Sequence, residues 1–546
     1  MGMGATPGEL EGVLGEVRRL RGARDPPEAP HRSKYEAAAL LEAWRRGAAG
    51  SSAEPAAAAR ADVALGQLKL DAEEPAEAEA LLGRGVAVLA KSGTPALAAE
   101  VAGAFNSLGF LRCRRGDFAQ AGADLEEALA AYHSAGGGGG EEAGDGAADE
   151  DREAAYTTTC FLLAQVHGQL GETAQSAHYC GVTLGRQLKS GEYAAHEWAQ
   201  NAAQLAGTYL DLELFAHCEH LLAAASAVLA AGPGATHVPD AAPAGADAGD
   251  VPANVQLAWG KFHATRLAGA AVGEEVVGEA AVSKELDFSA SLVLPEPRFV
   301  GRPVTFPVAD YAEAKRTFNV AMAHLRTALA HYRLDGWVTE HFNILMDASG
   351  LYKNLAEFEP DVHRRCVLHR LRARLLEPLL QALNPKVFKN LVQSVQLEAA
   401  DAYSSILDIK LAAGRPAAKV RRAGERAAAR FDGFLGEYLG ADGSIGLCRL
   451  PEAVDEAVEF HVLCSCINLA RVLQKVAGLE GGERAGERAR LRRALALLAG
   501  VRRYWERPAN AGRVMKEGSL LRLEKPIVEE MCLLMADKLR LLEAAP

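Results

Sequence analysis

Residues Tyr156 to Leu229 read YTTTCFLLAQVHGQLGETAQSAHYCGVTLGRQLKSGEYAAHEWAQNAAQLAGTYLDLELFAHCEHLLAAASAVL, and this stretch decides the fold. It divides into two antiparallel helix pairs with matching turns. In the first, Leu163-Ala164, His167, Gly171 and Thr173 mark a small residue within a helix, an aromatic ring, a turn and the opening of a second helix. In the second, Leu205-Ala206, Tyr209, Glu213, Phe215, Cys218, Leu222 and Ala225 fall at the same offsets. Small residues at fixed places let paired helices approach closely, and large ones fill the gaps between them. Such pairs cannot bury their apolar faces alone, so they stack.

These offsets are those of the tetratricopeptide repeat. Two earlier units share them, one carrying Leu65-Gly66, Glu73, Ala78 and Leu82, the other Leu108-Gly109, Gly116-Asp117-Phe118, Ala121, Leu125 and Ala128. The four anchors, Gly66, Gly109, Ala164 and Ala206, are spaced more widely than the roughly 34 residues of the standard repeat. Before them, Ser33 opens a helix with Tyr35, Leu40, Leu41 and Trp44 as its apolar side. Val255 to Leu267 reads as one helix, and from Tyr311 helical periodicity runs almost to the end, punctuated at Gly336, Pro360, Pro385, Gly414-Arg415-Pro416, Gly440 to Gly446, Gly478 to Gly486 and Arg507-Pro508. The expected fold class is all-α, a curved α-solenoid of tetratricopeptide-like antiparallel helix pairs. Its expected parts are an N-terminal segment (1–32), the repeats (33–231), a linker, loop and connecting helix (232–306), and a C-terminal helical-pair solenoid (307–546). Within the repeats, Ser134 to Glu153 holds five consecutive glycines and an acidic tail and is expected to be a disordered tether; Gly232 to Pro252 reads as a second insertion.

Composition agrees with helix: 49 % of residues are hydrophobic and 24 % charged, with alanine abundant and β-branched residues sparse. The nine cysteines are scattered without a CxxC pair, as suits a reducing cytosol. No apolar run approaches the ~20 residues that span a bilayer, so membrane insertion is not expected. Gly2 with Thr6 fits the myristoylation pattern formally, but no polybasic segment follows at once. The net charge of −12 argues against a nucleic-acid binder and suits a partner with a positive surface.

Chemistry-bearing constellations are few. His217, Cys218 and His220, with His178 and Cys180, lack the spacing of a zinc motif, and Cys218 holds the small-residue place of a repeat. Neither a metal nor a cofactor is expected. No nucleophile elbow, phosphate-binding loop or HExxH occurs, so no enzyme is expected. The arginine run from His363-Arg364-Arg365 through Arg370, Arg372 and Arg374, with Val367, Leu368, Leu371 and Leu375 packing inward, reads as a solvated face, and in a sharper reading as an anchor for an acidic surface or a neighbouring acidic loop. On the first helices of two repeats, Gln165 and Gln169 share one stripe and Asn201 and Gln204 another. Amides on a groove wall can pair with a docked helix, which makes these four candidate partner-binding residues.

Several ordered segments carry a family resemblance: Ser33-Lys34-Tyr35 with Ala39-Leu40-Leu41, Leu163-Ala164-Gln165-Val166, Ala177-His178-Tyr179-Cys180, Arg186-Gln187-Leu188, and Glu197-Trp198-Ala199 with Asn201-Ala202-Ala203. Further on come Asp335-Gly336 with Val338-Thr339, Arg364-Arg365-Cys366, Leu376-Glu377-Pro378-Leu379 and Leu383-Asn384-Pro385. Together they resemble the kinesin-family binding protein (KIF-binding protein) family. The resemblance implies a cytoplasmic, cytoskeleton-associated, non-enzymatic solenoid. It would bind kinesin motor domains and block or modulate their microtubule attachment, affecting microtubule organisation and transport. It also implies contacts on the inner face of the central repeats and an adjoining loop, for which Gln165, Gln187 and Gln204 are the carried-over candidates. A generic tetratricopeptide adaptor or co-chaperone that holds peptide tails by their carboxylates is the alternative, and it needs Lys or Arg converging with Asn on the groove.

Overall fold

The structure, a computed structural model, describes residues 7–48, 55–92, 94–134, 146–191, 193–231, 249–272, 282, 286–289, 291–292, 308–439, 450, 454–479, 484–510 and 520–544. Among these, all regular structure is helical. The chain forms two compact units, Met1–Gly245 with Glu279–Pro295, and Ala246–Gly278 with Glu296–Pro546.

The first unit contains α1 (Pro7–Arg21), α2 (Arg32–Ala48), α3 (Pro55–Asp71), α4 (Pro75–Ser92), α5 (Ala98–Arg115), α6 (Phe118–Ser134), α7 (Gly146–Leu170), α8 (Thr173–Ser190), α9 (Ala195–Asp211) and α10 (Phe215–Ala231). Successive helices pack as antiparallel pairs, and pair stacks on pair as in a solenoid. Four turns share one geometry. Glu73, Gly116, Gly171 and Glu213 are left-handed. After each, a backbone N–H reaches back five residues: Glu74 to Lys69, Asp117 to Arg112, Glu172 to His167 and Leu214 to Tyr209, at 2.9–3.0 Å. That bond satisfies a helix-end carbonyl and reverses the chain. Close approach within pairs also needs the repeat's glycines: a Cβ on Gly66 would lie 2.7 Å from Leu82 Cγ, and one on Gly109 2.8 Å from Leu125 Cγ. The core is a chain of local clusters. Leu10, Leu41, Trp44 and Leu68 form one, Val63, Leu82, Leu89 and Leu108 the next, and Leu125, Leu162, Leu163 and Val166 a third.

The second unit contains α11 (Asp250–Val272), α12 (Tyr311–His331), α13 (Val338–Phe358), α14 (Val362–Leu376), the short α15 (Leu379–Ala382), α16 (Lys389–Ala412), α17 (Ala417–Leu435), α18 (Glu456–Ala477), α19 (Arg484–Trp505) and α20 (Leu520–Ala544). Asp310, Asp361 and Asp455 cap α12, α14 and α18 by accepting from the backbone N–H of Glu313, Arg364 and Ala457. Its largest core joins α14 and α16 to α20 around Tyr403, Phe431, Phe434, Tyr504, Trp505 and Met535.

The structure corrects several expectations. The N-terminal segment is not separate: Leu10, Leu14 and Val17 of α1 recur at helical spacing and complete the first core. The expected tether at 134–153 ends earlier, because α7 begins at Gly146 and Glu153 is held by Tyr132 and Arg186; residues 135–145 lie outside the described residues. The connecting helix is longer than Val255 to Leu267 and is part of the second unit, while Leu286 and Phe288 return to the first. Tyr35 and Leu40 are exposed; α2 packs through Ala37, Ala38, Leu41 and Trp44, since alanines let the neighbouring helix lie closer. The arginine run is not uniformly solvated either. α14 buries Cys366, His369, Arg372 and Ala373, and Arg372 is neutralised from α16. Gly486 lies inside α19. Gly2, Thr6, Gly440 to Gly446 and most of the stretch between Val276 and Phe306 lie outside the described residues.

Candidate functional site

Helices α7 to α9 carry the candidate residues, and each is fixed by specific polar ties. The Asn106 side chain on α5 donates to the Ala155 carbonyl of α7 at 2.9 Å and accepts from Thr159 Oγ1 at 2.8 Å. Ser176 on α8 donates to the Ala164 carbonyl at 2.8 Å, and Trp198 Nε1 on α9 donates to the Leu184 carbonyl of α8 at 3.0 Å. Arg186 on α8 lies 4.5 Å over the Tyr156 ring and donates to Thr157 Oγ1 at 2.7 Å, and Tyr156 stacks on Tyr132 at 4.1 Å. Burial works to raise the Glu153 carboxyl, but hydrogen bonds from Arg186 and Tyr132 outweigh it and hold the group below the usual range. Interior bonds of this kind orient whole helices, because breaking one strands a buried polar group.

Gln165 and Gln169 are exposed on α7, in the same stripe. Asn201 and Gln204 are exposed on α9, in a polar face continued by Glu197 and Asp211. Gln187 is half-buried on α8, the second helix of its pair, so it does not share the first-helix wall. α7 packs on α5, α6 and α8, whereas α9 packs on α8 and α10, so the two amide stripes are joined through α8. Sequence reasoning missed Phe161. It stands four residues before Gln165 on the α7 stripe and is 52 % exposed. The signal was available: Leu162, Leu163 and Val166 fill the core positions, leaving Phe161 no inward place.

The loop segment beside these helices is anchored by its own side chains. Leu286 fills the space above Gly181 on α8, where a Cβ would clash with Leu286 Cδ2. Phe288 packs edge-on against Trp198 at 5.8 Å and lies 5.2 Å from the His220 ring. The Phe288 backbone N–H donates to His220 Nε2 at 2.9 Å, while His217 stacks on Tyr209 and Cys218 is buried. The three residues of the His217-Cys218-His220 cluster therefore do different packing jobs. Among the described residues no group of three or more His, Cys, Asp or Glu is placed to hold a metal ion. Cys160 is buried, and burial pushes its thiol up to about 11, which suppresses thiolate chemistry.

A concavity of about 370 Å³ lies along the first helices α1, α3, α5 and α7. Arg60 on its wall is occupied by Glu100 and Glu11, and Arg21 by Asp71 and Gln67. These guanidiniums are already neutralised, unlike the open cationic clamp that a carboxylate-binding groove requires.

A family model described as "KIF-1 binding protein C terminal" matches residues 196–542. The chain belongs to this family. Among curated relatives, a KIF-binding protein of Gallus gallus is 29 % identical over 445 residues, 72 % of this chain and 74 % of that protein. The Homo sapiens KIF-binding protein is 31 % identical over 291 residues, 48 % of this chain and 46 % of that protein. The Drosophila melanogaster KIF-binding protein is 27 % identical over 314 residues, 53 % of this chain and 52 % of that protein. A solved structure of "Kinesin binding protein (KBP)" superposes with a TM-score of 0.59 at 24 % identity, covering 96 % of this chain and 97 % of that one. Another, "Cryo-EM map of KIFBP", gives 0.60 at 21 % identity, covering 98 % of each chain. These structures share the all-α solenoid fold with this family member. Among the described residues no helix is long and apolar enough to cross a membrane.

Proposed function

We propose that this protein is a non-enzymatic regulator that docks kinesin motor domains and competes with microtubules for them, acting in the cytoplasm on microtubule organisation and transport. The observation that carries the reading is the α7 stripe of Phe161, Gln165 and Gln169, side chains that form no hydrogen bond within the described chain and stand on a helix tied rigidly from α5 and α8. An exposed aromatic among amides on a fixed helix is the composition of a protein-docking surface. Asn201 and Gln204 on α9 add a second exposed amide stripe, and half-buried Gln187 is the candidate on α8. Family membership, and relatives that are KIF-binding proteins, supply the kind of partner.

Charge supports competition. The microtubule surface is acidic, so the track-binding face of a motor is basic, and a chain of net charge −12 suits it. The test is a pull-down of purified kinesin motor domains, followed by microtubule co-sedimentation. Bound motors should stay in the supernatant and should dissociate from the protein as salt rises. Motors that bind yet pellet normally would leave only an adaptor role, and binding only to peptides with a free C-terminal carboxylate would favour the co-chaperone reading.

A further inference from the structure

Between Leu523 and Leu541, helix α20 turns a heptad-spaced face away from the core that holds it. With Ile527 at position a, the a positions between Leu523 and Leu541 are Ile527, Leu534 and Leu541, and the d positions there are Leu523, Glu530 and Asp537. All six are exposed, Leu523 and Leu541 at 70 % and 72 %, and Leu533 at g adds to the same face. The opposite side already secures the helix. Leu521, Val528, Met531 and Met535 are buried in the second unit's core. Glu524 pairs with Arg471 at 2.6 Å, and Lys538 with Glu487 at 2.9 Å. The a/d face therefore contributes little to holding α20 in place, and an apolar strip of this size on one helix marks an interaction surface.

The two carboxylates in the seam decide between occupants. In a second copy docked seam to seam, Glu530 and Asp537 would meet either their own counterparts or leucines, and a carboxylate desolvated without a cation is costly. An anionic lipid surface would repel both. A helix with apolar side chains over Leu523, Ile527, Leu534 and Leu541, and with Lys or Arg over Glu530 and Asp537, satisfies every position. Glu530 has no partner among the described residues, and Asp537 is held only by exposed Arg540 on its own helix, a pair that exchanges readily. We propose that the a/d face of α20 is a docking surface for an amphipathic helix of another protein, one that alternates apolar and basic residues along its seam. This surface is separate from the α7 to α9 stripe and stands whether or not that stripe binds a motor.

Two labelled three-heptad synthetic helices test it, both with Leu at a and at the d position that faces Leu523, one with Lys and the other with Glu at the two remaining d positions. Titrated with the full chain, the Lys peptide should bind at least about tenfold more tightly than the Glu peptide. Leu534→Glu with Leu541→Glu should abolish binding, and these exposed positions should leave helicity and melting unchanged. Glu530→Lys with Asp537→Lys should reverse the preference between peptides, a result that simple loss of folding cannot produce. Equal binding of both peptides, or binding that survives the leucine substitutions, overturns the proposal. So does concentration-dependent dimerisation removed by Leu534→Glu, or capture by phosphatidylserine vesicles, each of which assigns the face to another occupant.

Discussion

The guanidinium of Arg372 is fully buried and donates to Glu398 Oε1 at 2.5 Å and to Asp401 Oδ2 at 2.7 Å, tying α14 to α16. His369 Nδ1 and Ser349 Oγ lie at 3.0 and 3.4 Å from the same group. Arg372→Met should destabilise the second unit by about 3 kcal/mol, the low end of the cost of breaking a buried pair. Both carboxylates keep some exposure and can rehydrate in part. Urea unfolding checks this, and a change below the error of the method would mean that the pair adds nothing net.

Acid should weaken the same unit through two histidines. Burial pushes His369 down to about 4, with Arg372 adding to the effect, and pushes His263 down to about 3, with Arg266 and His324 adding. His263 stacks with Trp259 and with His324, and its Nδ1 has no partner. Both rings are neutral in the fold. Their contribution is complete above the unfolded value near 6.5 and falls as pH drops toward 4 and 3. At pH 5 each should have lost about 2 kcal/mol. His263→Phe should flatten the dependence of unfolding on pH between 6.5 and 5, and an unchanged slope would refute the assignment.

Repeat periodicity carried most of the first unit, because the helix pairs are set by local residues: the glycines at 66 and 109 and the turns at 73, 116, 171 and 213. What it missed depended on long-range partners. Arg372 looks like one more surface arginine until Glu398 and Asp401 are brought beside it from α16. Leu286 and Phe288 lie in a Pro-interrupted stretch without periodicity, and only the niche at Gly181 and the rings of Trp198 and His220 give them a place. The amide stripes were legible as stripes, but not that α8 lies between their helices.

That niche allows a selective substitution. The three atoms nearest to a Cβ on Gly181 would all be side-chain atoms of Leu286. Gly181→Ala should therefore loosen Leu286 and Phe288 while sparing α8 itself, at a cost of about 1–3 kcal/mol for overpacking. Limited proteolysis should cut faster between Leu286 and Leu292 than in the parent. Unchanged cleavage there would show that the segment is held by other contacts.

Two repeat turns hold glutamate where glycine is favoured, Glu73 at φ 61° and Glu213 at φ 60°. A side chain in the left-handed region costs about 1–2 kcal/mol, part of which glycine's greater freedom in the unfolded chain takes back. Glu73→Gly and Glu213→Gly should each raise stability by about 0.5–1 kcal/mol. Differential scanning calorimetry of the single and double variants would read this as additive upward shifts, and a fall in melting temperature would show that the side chains hold the turns.

The docking stripe makes the last prediction. Phe161 and Gln165 project from α7 without filling its core, so Phe161→Ala and the triple variant Gln165→Ala, Gln187→Ala, Gln204→Ala should melt close to the parent. If α7 to α9 receive a kinesin motor domain, losing the exposed aromatic should cost about 2 kcal/mol of binding, and losing the three amides about 1–3 kcal/mol together. Gln187 is half-buried on α8, so Gln187→Ala alone should account for the least of that loss. The same titrations with Glu197→Lys and Asp211→Lys separate contact from steering. Reversing these exposed acids should slow association with a basic motor face and flatten its salt dependence while leaving dissociation nearly unchanged. Full affinity retained in all three sets of variants would move the motor site off α7 to α9 altogether.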